Sequence, residues 1–121
     1  MKKDILIIGI MVFLGLIIYQ SNKPKIAPQY KNLNVVVYGS DRCGLTQGVR
    51  KRLKAEGVPY TYRNIDKSSR FNNAMFDKVK QAGVPAGQQF TLPVVEVGQQ
   101  VMVSARSDAV MEQVNALAKG Y

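Results

Sequence analysis

Histidine is absent from this chain, and cysteine occurs once, at Cys43. The first absence excludes a zinc site of His/Cys type and a Cys–His nucleophile pair. The second excludes an internal disulfide, so the fold must stand on its apolar core. Acidic residues are scarce as well: 8 against 17 Lys and Arg, for a formal net charge of +9. Such a surface is compatible with nucleic acid, anionic lipid or an acidic small molecule. No basic stripe interleaved with aromatics and no familiar nucleic-acid-binding motif appears, so no nucleic-acid partner is expected. The cluster Arg50, Lys51, Arg52 and Lys54 falls on one predicted helix and reads as a solvated face. Internal repeats and low-complexity stretches are missing too.

Charge is missing altogether from residues 5–19, which are almost wholly apolar. As a helix this run covers about 22 Å, against a hydrocarbon core of about 30 Å. Snorkelling by Lys3 and Lys23, with Tyr19 at the interface, can close the gap. The residues that follow, Gln20 to Lys25, lack the small-residue pattern of a cleavage site. An uncleaved signal anchor is the favoured reading; a cleaved signal and a buried soluble helix are the alternatives. Lysines flank both ends, so the positive-inside rule does not fix the orientation. Short N-terminal tails usually stay cytoplasmic, which puts the rest of the chain on the extracytoplasmic, periplasmic side of a single-pass membrane protein. The expected organisation is an anchor at 1–20, a tether with Pro24 and Pro28 at 21–33, and one small domain at 34–121.

Within the domain, residues 34–38 form a continuous apolar run suited to a buried central strand. A helix over 44–56 carries Leu45, Val49 and Leu53 on one face and is expected to bury all three, with Gly57 ending it. A second strand is expected over 59–64, with Tyr60 and Tyr62 on one face and Thr61 and Arg63 on the other. A second helix over 69–82, capped by Asp66 or Ser68, carries Phe71, Met75, Phe76 and Val79, and Gly83 stops it. Strands over 92–97 and 100–103, joined by Gly98 and Gln99, read as a hairpin. Ser107 or Asp108 is expected to cap a last helix that buries Val110, Met111, Val114 and Leu117. The order βαβ then αββα implies a four-stranded mixed sheet, with its first two strands parallel and helices on both faces.

Cys43 sits where the first strand hands over to the first helix, after the polar turn Gly39 to Arg42. Unpaired backbone N–H groups at a helix start favour a thiolate, the nucleophilic form. Without histidine, activation is left to that helix terminus and to cations such as Arg42, while Asp41 opposes it.

The segment Val36-Val37-Tyr38 through Cys43-Gly44-Leu45-Thr46, the segment Thr91-Leu92-Pro93-Val94-Val95, and Gly98 followed by Ser107-Asp108 together resemble the glutaredoxin branch of the thioredoxin fold. The resemblance covers about residues 34–118. It implies an α/β three-layer sandwich and a thiol-disulfide oxidoreductase whose nucleophile is Cys43. It also implies a cis bond before Pro93, exposing the backbone of Leu92 to a peptide-like ligand such as glutathione; an ordinary strand-opening proline is the alternative. Asp108 would accept from the γ-glutamyl amine of glutathione, besides its capping role, and Ser107 would cap or bind. Thr91 would shape the pocket or simply favour the strand.

The chain departs from the family pattern in three places. Thr46 stands where a second cysteine would be, so the site resembles the Cys-Gly-Phe-Ser of monothiol glutaredoxins, which bind a [2Fe-2S] cluster between two subunits. The usual lysine before the cysteine is missing, and Arg42 is the substitute for holding the glycine carboxylate of glutathione. Ser104-Ala105-Arg106 replaces a Gly-Gly step.

Three functions are therefore open. The first is a membrane-tethered monothiol oxidoreductase working with glutathione or a protein thiol client. The second is a non-catalytic binding or scaffold module. The third is a glutathione-dependent [2Fe-2S] carrier. No other metal is expected.

Overall fold

The computed structural model describes residues 26–120. The expected anchor lies outside the described residues, and no helix among them is long and apolar enough to cross a membrane.

Four strands, β1 (Val35–Gly39), β2 (Thr61–Asn64), β3 (Val94–Val97) and β4 (Gln100–Met102), form one sheet in the order β2-β1-β3-β4. β1 is parallel to β2, with Val37 opposite Tyr62, and antiparallel to β3, with Val37 opposite Val95. β3 and β4 are the expected antiparallel hairpin. Every residue of β1 is buried, as a strand covered on both faces demands.

Three helices, α1 (Gly44–Ala55), α2 (Ser69–Gln81) and α3 (Ser107–Lys119), cover the sheet. Strand alternation assigns each side chain its layer. Val35, Val37, Val95 and Val97 pack with Val49 and Leu53 of α1 and Val110, Met111 and Val114 of α3. Val36, Tyr38 and Val94 point the other way, onto Met75 and Val79 of α2. Glu96 shares that second face, where Lys78 of α2 meets it at 2.6 Å. The hydrogen bond to Glu96 pushes the Lys78 ammonium up from its ordinary value.

The helix stops follow local chemistry. Gly57 and Gly83 take φ of 72° and 85°, conformations that side chains disfavour. Val58 N–H then reaches Leu53 O at 2.9 Å, and Gly57 N–H reaches Lys54 O at 3.2 Å, which closes α1 with paired carbonyls. Of the two candidates for the cap of α2, Ser68 holds the position, and its hydroxyl accepts from Phe71 N–H at 3.4 Å.

Four expectations are corrected. Leu45 is 51% exposed, because it lines a groove beside the start of α1 instead of the core, while Thr46 next to it is buried. The N-cap of α3 is Arg106, not Ser107 or Asp108; these two occupy the first helical positions, where Asp108 complements the helix dipole. β3 starts at Val94 rather than at residue 92, since Pro93 has no N–H for a ladder. The later part of the expected tether is packed. Pro28–Tyr30 forms a 3₁₀ turn, Tyr30 joins the core, and its hydroxyl donates to Asn115 Oδ1 at 2.5 Å.

Candidate active site at Cys43

Cys43 is the N-cap of α1. Its backbone N–H donates to Ser40 O at 3.1 Å and its carbonyl accepts from Gln47 N–H at 3.1 Å, so both flanks of the residue are fixed. The sulfur is partly exposed. Partial burial alone pushes its pKa up. The Thr46 hydroxyl and the backbone N–H groups of Thr46 and Leu45, as donors to the ionised sulfur, outweigh that effect and hold the thiol below its ordinary value.

Thr46 is the residue that sequence reasoning missed. It occupies the third helical position, from which a side chain can reach back to the N-cap. It is 0% exposed, and its Oγ1 has no hydrogen-bond partner among the described residues. An ionised Cys43 sulfur would supply the missing acceptor, and the Thr46 side chain is the foremost influence lowering the Cys43 pKa. The spacing from Cys43 to Thr46 was the available signal, but it is informative only once Cys43 is known to be the cap.

Charges next to Cys43 are paired with one another and not with the sulfur. Asp41 lies 3.6 Å from Arg50 and accepts from the Tyr62 hydroxyl at 2.9 Å, so its opposition to a thiolate is offset. Burial and the Asp41 contact push the Tyr62 phenol up to about 12. Arg50 also stacks 3.8 Å over the Tyr62 ring, so this member of the basic cluster is not simply solvated. Arg42 is 85% exposed and pairs with Asp66 at 3.4 Å. Asp66 also accepts from the Ser40 hydroxyl, which is the main reason its carboxyl lies below the ordinary range. The expected activation by a cation at Arg42 is therefore replaced by hydrogen bonding from the first turn of α1.

The Leu92–Pro93 peptide is cis, as the resemblance implied. The Leu92 carbonyl faces Cys43, 3.9 Å from the sulfur. Two contacts hold this loop. The Ser104 hydroxyl accepts from Thr91 N–H at 2.9 Å and donates to Thr91 O at 3.1 Å. Ala105 N–H donates to Pro93 O at 3.1 Å. Ser104 itself has φ of 55°, the one non-glycine residue with positive φ among the described residues. Thr91 lies outside the strands, with its backbone held by Ser104 and its residue surface exposed.

A groove of about 310 Å³ runs beside the start of α1, with Gly44, Leu45 and Gly48 on one side and Arg106, Ser107 and Asp108 on the other. Asp108 is 91% exposed and its carboxylate meets Arg52 at 3.1 Å, so any amine ligand must exchange with that guanidinium. Cys43, Leu92, Pro93, Ser107 and Asp108 thus lie around one end of the sheet, while Arg42 turns towards Asp66. A second, apolar cleft of about 290 Å³ lies between α2 and residues 84–90, lined by Phe76, Val79 and Phe90, and contains no thiol.

A family model described as Glutaredoxin matches residues 35–102, more than half of the chain. No curated protein matches the sequence. Three solved structures are similar. The glutaredoxin from Archaeoglobus fulgidus is 23% identical, with 71% of this chain and 90% of that one covered and a TM-score of 0.53. The glutaredoxin-like NrdH-redoxin from Escherichia coli is 18% identical, with 69% and 93% covered and a TM-score of 0.50. Glutaredoxin 1 from Francisella tularensis is 11% identical, with 72% and 98% covered and a TM-score of 0.51. At these identities the likeness is one of fold: a thioredoxin-like sheet with helices on both faces. Since the family model spans the whole sheet from β1 to β4 and takes in the lone cysteine, this chain belongs to the glutaredoxin family.

Proposed function

We propose that this chain is a membrane-tethered, monothiol thiol-disulfide oxidoreductase that removes glutathione from client thiols. The observation that carries the reading is the Cys43 sulfur itself: partly exposed, at the head of α1, with a hydroxyl and two backbone N–H groups arranged to hold its thiolate. A buried, inert cysteine of a pure binding module has no use for that arrangement.

The chemistry balances with one protein sulfur. The Cys43 thiolate attacks the glutathione sulfur of a mixed disulfide. A Cys43–glutathione disulfide forms, the client–glutathione bond breaks, and the client thiolate leaves and takes a proton. A second glutathione thiolate then attacks the Cys43-bound glutathione. Oxidised glutathione leaves, and Cys43 returns as thiolate. The incoming glutathione thiolate is the reductant: its electron pair is passed along the two exchanges and leaves with the client thiolate, and the glutathione sulfur of the mixed disulfide ends in oxidised glutathione.

Glutathione would lie along Leu92, whose backbone faces the sulfur, with Pro93 and Thr91 shaping that side. Its γ-glutamyl end would reach the groove at Ser107 and Asp108, and its glycine carboxylate would compete with Asp66 for Arg42. Among the described residues no group of three or more metal-ligating side chains gathers, so one chain would offer a [2Fe-2S] cluster a single ligand, Cys43. Thiol transfer needs no more than that sulfur. The tether reading rests on the uncharged run at 5–19.

The test is turnover of a glutathionylated peptide together with the pH profile of Cys43 alkylation. Turnover in the native chain, none in Cys43→Ser, and a thiol pKa below the free value of about 8.5 are expected. A pKa at or above that value with no turnover sinks the proposal.

A further inference from the structure

Gly39, the last residue of β1, has an unusually close neighbour. A Cβ built there would fall 2.5 Å from Thr46 Oγ1, closer still to its Cγ2 methyl, and 3.0 Å from its Cβ. Gly39 is ordinary strand backbone, paired opposite Asn64, and it is absent from the positive-φ glycines. Its role is therefore one of space and not of backbone freedom. On the other side of that contact sits Thr46, fully buried, with a hydroxyl that has no hydrogen-bond partner among the described residues and lies one helical turn from the Cys43 N-cap.

We propose that Gly39 is a positioning residue for Cys43: lacking a side chain, it lets Thr46 seat against the end of β1 with its hydroxyl directed at the sulfur. The inference rests on the thiolate reading above. In a close-packed interior a single added methyl at 2.5 Å must displace something. Thr46 has two ways to yield: rotation of its side chain, or a shift of the first turn of α1. Each takes the hydroxyl away from Cys43, and the second also moves the N–H groups of Leu45 and Thr46. Gly39 does not touch the sulfur or a substrate; it acts through Thr46.

The test is a double-mutant cycle read on the pH profile of Cys43 alkylation by iodoacetamide, in the full-length chain. Gly39→Ala is expected to move the profile to higher pH, as Thr46→Ala does. The double variant is expected to move no further than either single change, because both remove the same hydrogen bond. Gly39→Ala/Thr46→Ser keeps a hydroxyl and removes the closest methyl. It is expected to fold even where Gly39→Ala does not, with a profile between those of the native chain and Thr46→Ala. A folded Gly39→Ala with the native profile overturns the proposal, as do shifts that add in the double variant. So does a folded Gly39→Ala/Thr46→Ser chain with the native profile, since the added Cβ still falls 2.5 Å from the retained oxygen. A native profile already at the free-cysteine value would instead sink the thiolate reading, so the two failures are distinguishable.

Discussion

Thr46 replaces a possible second sulfur with a hydroxyl, and the exchange alters the chemistry open to Cys43. The site cannot close an internal disulfide, but it can hold a thiolate. Thr46→Val preserves the branched shape and deletes the donor. Because the Thr46 hydroxyl is the foremost influence lowering the Cys43 pKa, its loss raises that pKa. At neutral pH the thiolate fraction and the alkylation rate should fall several-fold, and a stopped-flow pH series checks this. The sign of the stability effect follows from linkage. The folded pKa of Cys43 is depressed, so the stabilisation is complete above the unfolded value of about 8.5 and is lost as pH falls through the folded value. Thr46→Val should therefore shrink the rise in melting temperature between about pH 6 and about pH 9. Arg42 and Asp41 teach the complementary lesson. Both are two residues or fewer from the sulfur, yet their charges are taken up by Asp66 and Arg50.

The cis-proline loop and the turn after β4 behave as one unit. Ser104 fills both backbone hydrogen-bonding groups of Thr91, a job that strand pairing takes over only from Val94, three residues on. That leaves the Leu92 carbonyl to face Cys43. Ser104→Ala removes two hydrogen bonds at an exposed position, each contributing about 0.5–1.5 kcal/mol at most. A loss of about 1 kcal/mol in urea unfolding is expected, with KM for the glutathionylated peptide rising and kcat much less affected. Retention of full stability would show that the clip contributes nothing in solution. Helix boundaries were easier to read than strand boundaries. Gly57, Gly83 and Ser68 act within their own turns, so their roles are visible locally. The start of β3 depends on where a neighbouring strand can pair, and the cap of α3 on how the chain turns out of β4.

Viewed whole, the molecule has two poles. β1 ends at the Cys43 pole, and α1 runs away from it. The chain enters at the other pole, where Ala27 N–H donates to Gly57 O at 2.8 Å just past the end of α1, and the 3₁₀ turn packs on α3. A tether joined there would leave Cys43 facing away from a membrane. Intact spheroplasts carrying the full-length chain should therefore label at Cys43 with a membrane-impermeant maleimide if the domain is extracytoplasmic, the orientation expected from the sequence. Labelling that appears only after lysis would reverse the orientation.

Chain order, the buried central strand, the helix stops and the place of the sulfur at a helix start could all be read from residues near one another. Periodicity and turn chemistry act over a few positions, and the string of letters carries them directly. The partners of that sulfur could not be read in the same way. Leu92 comes from 49 residues away, and Ser104 reaches back 13 residues to Thr91. The contact between Gly39 and Thr46 exists only because α1 docks on the end of β1. An alternating pattern says which face a side chain takes; which atom it meets there depends on how distant segments dock, and that was settled only when the layers closed.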